Sequence, residues 1–283
     1  MLNYGFFLLF SFLCFYPLWY VIVYTISDPA QAATGVTFWP KGFSLFNFRE
    51  VLKLDGVFHA FGVSIFRTVV GTLGTVLCCT VLGYLFSKER MPARKFFYRF
   101  LIITMYISGG MIPTYLVFRS YKILNTFWVY FLPSLISAYN VILVKTYVEQ
   151  LPAALEESAL LDGANVIHII VYLIIPLSLP IIATIAIYAA VGQWNAWFDN
   201  HIYAFRNDNL TTLQYMLYNF LQEAEELAEL IESTSETIDE SAYITPTGVK
   251  MTVTLVTILP IMCVYPFLQR FFIKGIMIGA VKG

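Results

Sequence analysis

EESALLDGANVIHIIVYLIIPLSLP, residues Glu156–Pro180, lies between two apolar segments that are each long enough to cross a bilayer. It carries charges, an Asp-Gly break and a pair of prolines. None of these suits a helix in lipid, where every backbone polar group has to be bonded internally. Nearly all the surrounding chain is hydrophobic, so a short polar insert at this place points to a contact outside the membrane.

The composition supports that frame. Of 283 residues, 59% are hydrophobic and 12% charged, with a mean hydropathy of +0.72, against roughly 25% charged in soluble domains. A spanning helix needs about 20 mostly apolar residues. Six stretches reach that length: 4–27, 58–87, 100–118, 126–147, 176–197 and 250–272. The expected fold is an all-α polytopic membrane protein, a single domain over residues 1–283. It has six transmembrane helices, a helical insert at 151–175 between helices 4 and 5, and outer loops at 29–57 and 198–249. The first segment is longer than the roughly 7–15-residue core of a signal peptide and reads as a retained helix. No Lys or Arg precedes Lys41, which suggests a trimmed N-terminus.

Charge distribution sets the predicted topology. Lys88, Arg90, Arg94, Lys95 and Arg99 crowd the short loop after the second span, and such clusters stay on the cytoplasmic side. The insert and both termini then fall on the same side. The stretch 198–250 holds more than half of the chain's 18 acidic residues and faces outward. Within it Leu213, Met216, Leu217, Phe220, Ala224, Leu227, Ala228 and Ile231 recur at helical spacing, with glutamates opposite. This stripe either packs on its own protein or offers a docking face.

No catalytic or metal site is expected. Cys14, Cys78, Cys79 and Cys263 lie within predicted spans without CxxC spacing and read as apolar fillers. His59, His168 and His201 are scattered. No GxxxxGK[ST], GxSxG or HExxH sequence occurs, so the chain cannot build a Walker-type nucleotide site of its own.

The insert itself reads as helix, corner, helix. Pro152 suits a first helical position, and Glu156 and Glu157 sit near the positive end of the helix dipole. Asp162-Gly163 breaks the run, and a second helical stretch from Asn165 to Ile174 leads to Pro176, where the fifth span is predicted to begin. Leu155, Ala159 and Leu160 would form a small apolar ridge for a groove in a soluble partner.

At these residues the chain resembles a known family. Glu157-Ser158-Ala159, Asp162-Gly163-Ala164, Ile175-Pro176 and Pro180 are similar to the EAA loop of permease subunits in ATP-binding-cassette importers, with Ser158 in place of the family's Ala. FWPKGFSLFNF (38–48), SGGMIPTYLVF (108–118), LNTFWVYFLPS (124–134), VGQWNAWFDN (191–200) and YPFLQRFFIKGIMIGAVKG (265–283) narrow the resemblance to maltose-type carbohydrate importers, oligosaccharide branch. It extends to the second permease of alginate oligosaccharide importers. The resemblance implies a multi-pass protein of the bacterial inner membrane with cytoplasmic termini. It implies a homologous second permease, two cytoplasmic ATP-binding subunits that carry ATP and Mg, an extracytoplasmic solute-binding protein and an oligosaccharide substrate. It places ATPase coupling on Glu156, Glu157, Ser158, Ala159, Asp162, Gly163 and Ala164. No cofactor belongs to this chain and no nucleic acid is involved. The alternatives are an importer permease for a non-sugar solute (amino acid or phosphate) and an intramembrane transferase; the second lacks a catalytic carboxylate or His pair in the spans.

Polar residues inside the spans mark candidate pathway positions. Arg67 lies well inside the second span, where a guanidinium is costly unless paired or wet. No Asp or Glu sits clearly within a span. Its counter-ion is therefore expected from a partner subunit, backbone carbonyls, water or the substrate. Gln193, Trp194, Asn195 and Trp197 cluster at the end of the fifth span; amides and indoles suit a sugar pathway, and Trp equally suits the membrane interface. Asn140 and Tyr139, and Tyr106 and Ser108, are further candidates. Ser108-Gly109-Gly110 with Pro113 allows close helix contact or a break, and Pro133 and Pro260 predict kinks.

Overall fold

The computed structural model describes residues 2–32, 34–234 and 246–280. Among these the chain is helical, with one isolated antiparallel bridge between Ser27 and Phe43. In order the helices are α1 (Leu2–Thr25), α2 (Pro29–Ala32), α3 (Phe46–Lys53), α4 (Val57–Ser87), α5 (Arg94–Tyr106), α6 (Met111–Ser120) and α7 (Trp128–Phe131). They continue with α8 (Ala138–Val148), α9 (Ala153–Leu161), α10 (Val166–His168), a π-helical stretch (Ile169–Ile174), α11 (Ile175–Leu177), α12 (Leu179–Asn195), α13 (Phe198–Tyr203), α14 (Leu213–Thr234) and α15 (Pro246–Ala280). The fold is that of a polytopic all-α membrane protein. By length and composition three helices can cross a membrane alone (Asn3–Thr25, Val57–Ser87 and Thr247–Val264), and two bent pairs bring the total to five.

Three predicted spans differ from straight rods. The third, 100–118, is two helices, because Ile107 is extended and Gly110 adopts φ +80°, a left-handed geometry that glycine alone enters freely. The fourth bends by 45° between Trp128–Ser134 and Ala138–Val148, where Pro133 has no N–H to give. The fifth starts at Leu179, not Pro176. Pro176 belongs to the insert side of an 85° bend at Ser178. By contrast α1 runs unbroken through Pro17 and α15 through Pro260, so no break follows from those prolines.

The chain divides into two compact units. One comprises residues 1–62 and 211–263. There the loop after α1 folds back on the helix end: Asp28 donates its N–H to the Lys41 and Gly42 carbonyls (3.0 and 2.7 Å), and Trp19 Nε1 donates to the Phe38 carbonyl (2.9 Å). Leu217, Phe220 and Leu221 of α14 pack with Val51, Val249 and Val253, so the start of the predicted apolar stripe is core of its own protein. The side chains of Ala224, Leu227, Ala228 and Ile231 lie outside the described residues, as do those of the tail from Phe267 onward, including Arg270, Lys274 and Lys282.

The other unit, residues 63–210 and 264–283, holds the insert and the pathway candidates. Its organising feature is one face of α4. Arg67, Gly71, Thr75, Cys79 and Gly83 recur every fourth residue, which places them on one stripe. A Cβ on Gly71 would lie 2.6 Å from the Gln193 side chain, and one on Gly83 would lie 2.6 Å from Val144 Cγ1. The two glycines therefore let neighbouring helices approach closely. Between them, Thr75 Oγ1 donates to the Ser134 carbonyl (3.1 Å), and Cys79 Sγ lies 3.7 and 3.8 Å from the Leu135 and Ser137 carbonyls. The Ser134 and Leu135 carbonyls lie at the bend after Pro133, whereas the Ser137 carbonyl already accepts from Val141 N (2.9 Å); broken helices at membrane depth persist only where freed groups are answered. Cys79 thus does more than fill space. The core beside it joins Cys79, Tyr84, Phe86, Val141, Val144, Val148, Ile169, Ile170, Ile174 and Ile185.

Candidate functional site

The insert is a rigid corner. α9 closes with paired bonds from Gly163 N to the Leu160 carbonyl (3.1 Å) and from Ala164 N to the Ala159 carbonyl (2.9 Å), with Gly163 at φ +82°. This is a Schellman termination, and it accounts for the spacing of the motif. Ala159 and Ala164, the small residues bracketing the turn, both pack against the hydrophobic core of the unit. Asn165 then caps the next turn, its Oδ1 accepting from His168 N (2.9 Å). The apolar ridge is consequently displaced from the sequence expectation. Ala159 turns inward, while Leu155, Leu160, Leu161, Val166 and Ile167 are exposed, Leu161 by 89%.

The acidic pair also separates. Glu157 is exposed, with Ser158, Asp162 and Gly163 beside it. Glu156 is held from within the chain: Tyr84 Oη donates to Glu156 Oε1 (2.9 Å), and Lys88 Nζ pairs with Oε2. That clasp ties α9 to the end of α4. A second brace joins the basic loop to α8, where Arg94 donates to the Phe86 carbonyl (2.6 Å) and pairs with Glu149 (2.9 Å).

Arg67 has an intrachain partner, contrary to the sequence reading. It is 2% exposed, and its guanidinium forms a forked pair with Asp199 at the start of α13. Nε also donates to Gln193 Oε1 (2.9 Å) and Nη1 to the Ala196 carbonyl (3.1 Å), while the Tyr130 ring lies 4.5 Å from Cζ. Gln193 continues the network through its Nε2, which donates to Ser134 Oγ (2.7 Å). Asp199 was missed because it lies just beyond the apolar stretch, and span-counting ends at Trp197. An arginine in lipid demands a carboxylate, and the first acidic residue past a span end was the available signal.

A cavity of about 780 Å³ opens beside this network. Arg67, Asn140 and Gln193 line it, and Trp194, Asn195 and Trp197 do not. Trp194 is buried and Asn195 exposed, so that cluster splits between faces of α12. Tyr139 joins the lining, and Tyr106 and Ser108 do not.

No family model matches the chain. Protein LplC of Bacillus subtilis strain 168 is 37% identical over 268 residues, covering 94% of this chain and 89% of that protein. The polygalacturonan/rhamnogalacturonan transport system permease protein YtcP of the same organism is 32% identical over 284 residues, covering 100% and 98%. Among solved structures, a chain of a bacterial ABC transporter involved in import of the acidic polysaccharide alginate superposes with a TM-score of 0.84, 27% identity and coverage of 96% and 95%. Together with the capped corner and the broken spans, these likenesses over nearly the full length place the chain in the family of membrane-spanning permease subunits of carbohydrate ABC transporters.

Proposed function

We propose that the chain is one half of the translocation pathway of an ATP-driven oligosaccharide importer, and that residues 151–175 dock in a cleft of a cytoplasmic ATPase. The observation that carries this reading is the corner itself: an exposed apolar tip of Leu160, Leu161, Val166 and Ile167, with Glu157 at its side, mounted on a base packed into the bundle core. Apolar surface of this kind on a short helix fits a groove in a partner. A rigid base allows displacement of the tip to reach the spans as a body movement.

The remaining parts of the proposal follow from the family. A homologous second permease completes the pathway, two ATP-binding subunits bind ATP and Mg, and an extracytoplasmic solute-binding protein delivers the sugar. The chain sits in the bacterial inner membrane with its termini and the insert on the cytoplasmic side. Carbohydrate cargo is favoured over the amino-acid, phosphate and transferase alternatives. The polygalacturonan/rhamnogalacturonan named for YtcP and the acidic polysaccharide alginate named for the similar solved structure support acidic oligosaccharides as substrate.

Gly163→Pro tests the coupling. Proline fixes φ near −65° and removes the N–H that closes α9, so the corner cannot form. Membrane insertion should persist, and substrate-stimulated ATP hydrolysis by the assembled importer should be lost. Normal hydrolysis and uptake in reconstituted vesicles would overturn the proposal.

A further inference from the structure

We infer that the basic and aromatic face of α5, with the turn before it, is a binding surface for the headgroups of anionic phospholipids, in the leaflet at the insert end of the bundle. The inference goes beyond the transport reading and depends only on the membrane fold. Five cations lie between residues 88 and 99, and two of them are engaged within the chain: Lys88 pairs with Glu156 and Arg94 with Glu149. Arg90, Lys95 and Arg99 are exposed, and among the described residues none of the three forms an ion pair. Glu89 is the single acidic residue in the sequence 88–106, so the surface keeps an excess of positive charge.

The orientation of α5 is fixed from its inner side. Tyr98 and Leu101 pack against the hydrophobic core of the unit, as does Met91 in the preceding turn. The Tyr98 ring lies 5.7 Å from that of Phe86, and Lys145 Nζ lies 5.0 Å from its centroid. At helical spacing the opposite face carries Lys95 and Arg99 along one edge and Phe96, Phe100 and Ile103 along the next, all exposed. No acidic residue occupies the first turn of α5 and no side chain caps it, so Lys95 stands at a helix end that is itself positive. Cations gathered there call for an anion from outside the chain. A phospholipid headgroup fits both edges of the face: its phosphate suits the fork of Arg99 and the ammonium of Lys95, and its acyl chains run along Phe96, Phe100 and Ile103. A free phosphate would leave those three apolar side chains uncovered.

The test is lipid selectivity. The protein, purified with the subunits that accompany it, is reconstituted in phosphatidylcholine vesicles, and association of spin-labelled phosphatidylglycerol is measured against spin-labelled phosphatidylcholine. One cation near the membrane surface favours an anionic lipid by about fivefold, so the parental protein should prefer phosphatidylglycerol by at least about fivefold. Arg90→Gln, Lys95→Gln and Arg99→Gln combined should bring that preference below about twofold. Arg49→Gln, which removes an exposed cation of α3, should leave it unchanged. In the parental protein the preference should fall by at least about half as salt is raised from about 0.1 M to about 1 M, because the screening length contracts from about 10 Å to about 3 Å. This salt series needs no substitution and decides the matter even where the triple variant does not assemble. No preference in the parental protein, a preference that the triple variant keeps, an equal loss in Arg49→Gln, or a preference indifferent to salt would each overturn the surface. Neither arm involves cargo or hydrolysis, so such a failure leaves the transport reading standing.

Discussion

Removing the Asp199 carboxylate should be the most damaging single change to the polar network around Arg67. Asp199→Ala leaves the Arg67 guanidinium, 2% exposed, without its counter-ion. Stranding one member of a buried pair costs about 3–5 kcal/mol. Two features pull this case toward the low end. The Gln193 amide oxygen and the Ala196 carbonyl remain as neutral acceptors, and the Asp199 side chain is 21% exposed and so partly hydrated. A loss of about 3 kcal/mol lowers the folded-to-unfolded ratio by roughly 150-fold, readable by reversible unfolding of the protein in mixed micelles. The decisive arm is the double variant Arg67→Met with Asp199→Ala. Replacing both charges with apolar groups is often close to neutral, so the double variant should recover most of the loss. A double-mutant cycle in which the two single losses simply add would refute the claim of direct pairing, as would a single variant within about 0.5 kcal/mol of the parent.

Three further expectations follow from the same geometry. Glu157→Lys should reduce capture of the partner ATPase at least about tenfold by reversing a charge on the docking face, whereas Glu156→Gln, whose partners Tyr84 and Lys88 belong to this chain, should leave capture within about twofold; equal losses in a pull-down would contradict this division. Gly83→Ala forces a Cβ to 2.6 Å from Val144 Cγ1 and 3.1 Å from the Lys145 backbone nitrogen, an overpacking worth about 1–3 kcal/mol. Val144→Gly in the same chain, which removes Cγ1 and also the Cβ that would lie at 2.7 Å, should relieve part of that loss, and failure to do so would place the strain elsewhere.

The sequence made the architecture legible where periodicity and punctuation act locally. Long apolar runs mark α1, α4 and α15, and Asp162-Gly163 marks a corner because only a left-handed residue closes α9 there. The bends were legible only in part. Pro133 and Ser108-Gly109-Gly110 advertise breaks, yet Pro17 and Pro260 sit in continuous helices, because whether a proline breaks a span depends on what answers the freed carbonyls. Thr75 and Cys79 do so at the 132–137 bend, and a contact between positions about sixty residues apart leaves no local mark. The same holds for the site. Arg67 and Asp199 are 132 residues apart, and Glu156 looks no different from Glu157 until α4 is laid against α9. Chemistry named the candidates; tertiary contact sorted them.

The central claim, that the tip of the insert faces the cytoplasm and is covered by an ATPase, comes down to the accessibility of Leu161. With Cys14 and Cys263 replaced by Ala, a Leu161→Cys protein assembled in its importer is exposed to a membrane-impermeant maleimide. The cysteine should react in inside-out vesicles stripped of the ATPase and be protected when the ATPase is restored. Labelling from the outer face of sealed cells, or labelling of the stripped vesicles that the ATPase leaves undiminished, would contradict the account.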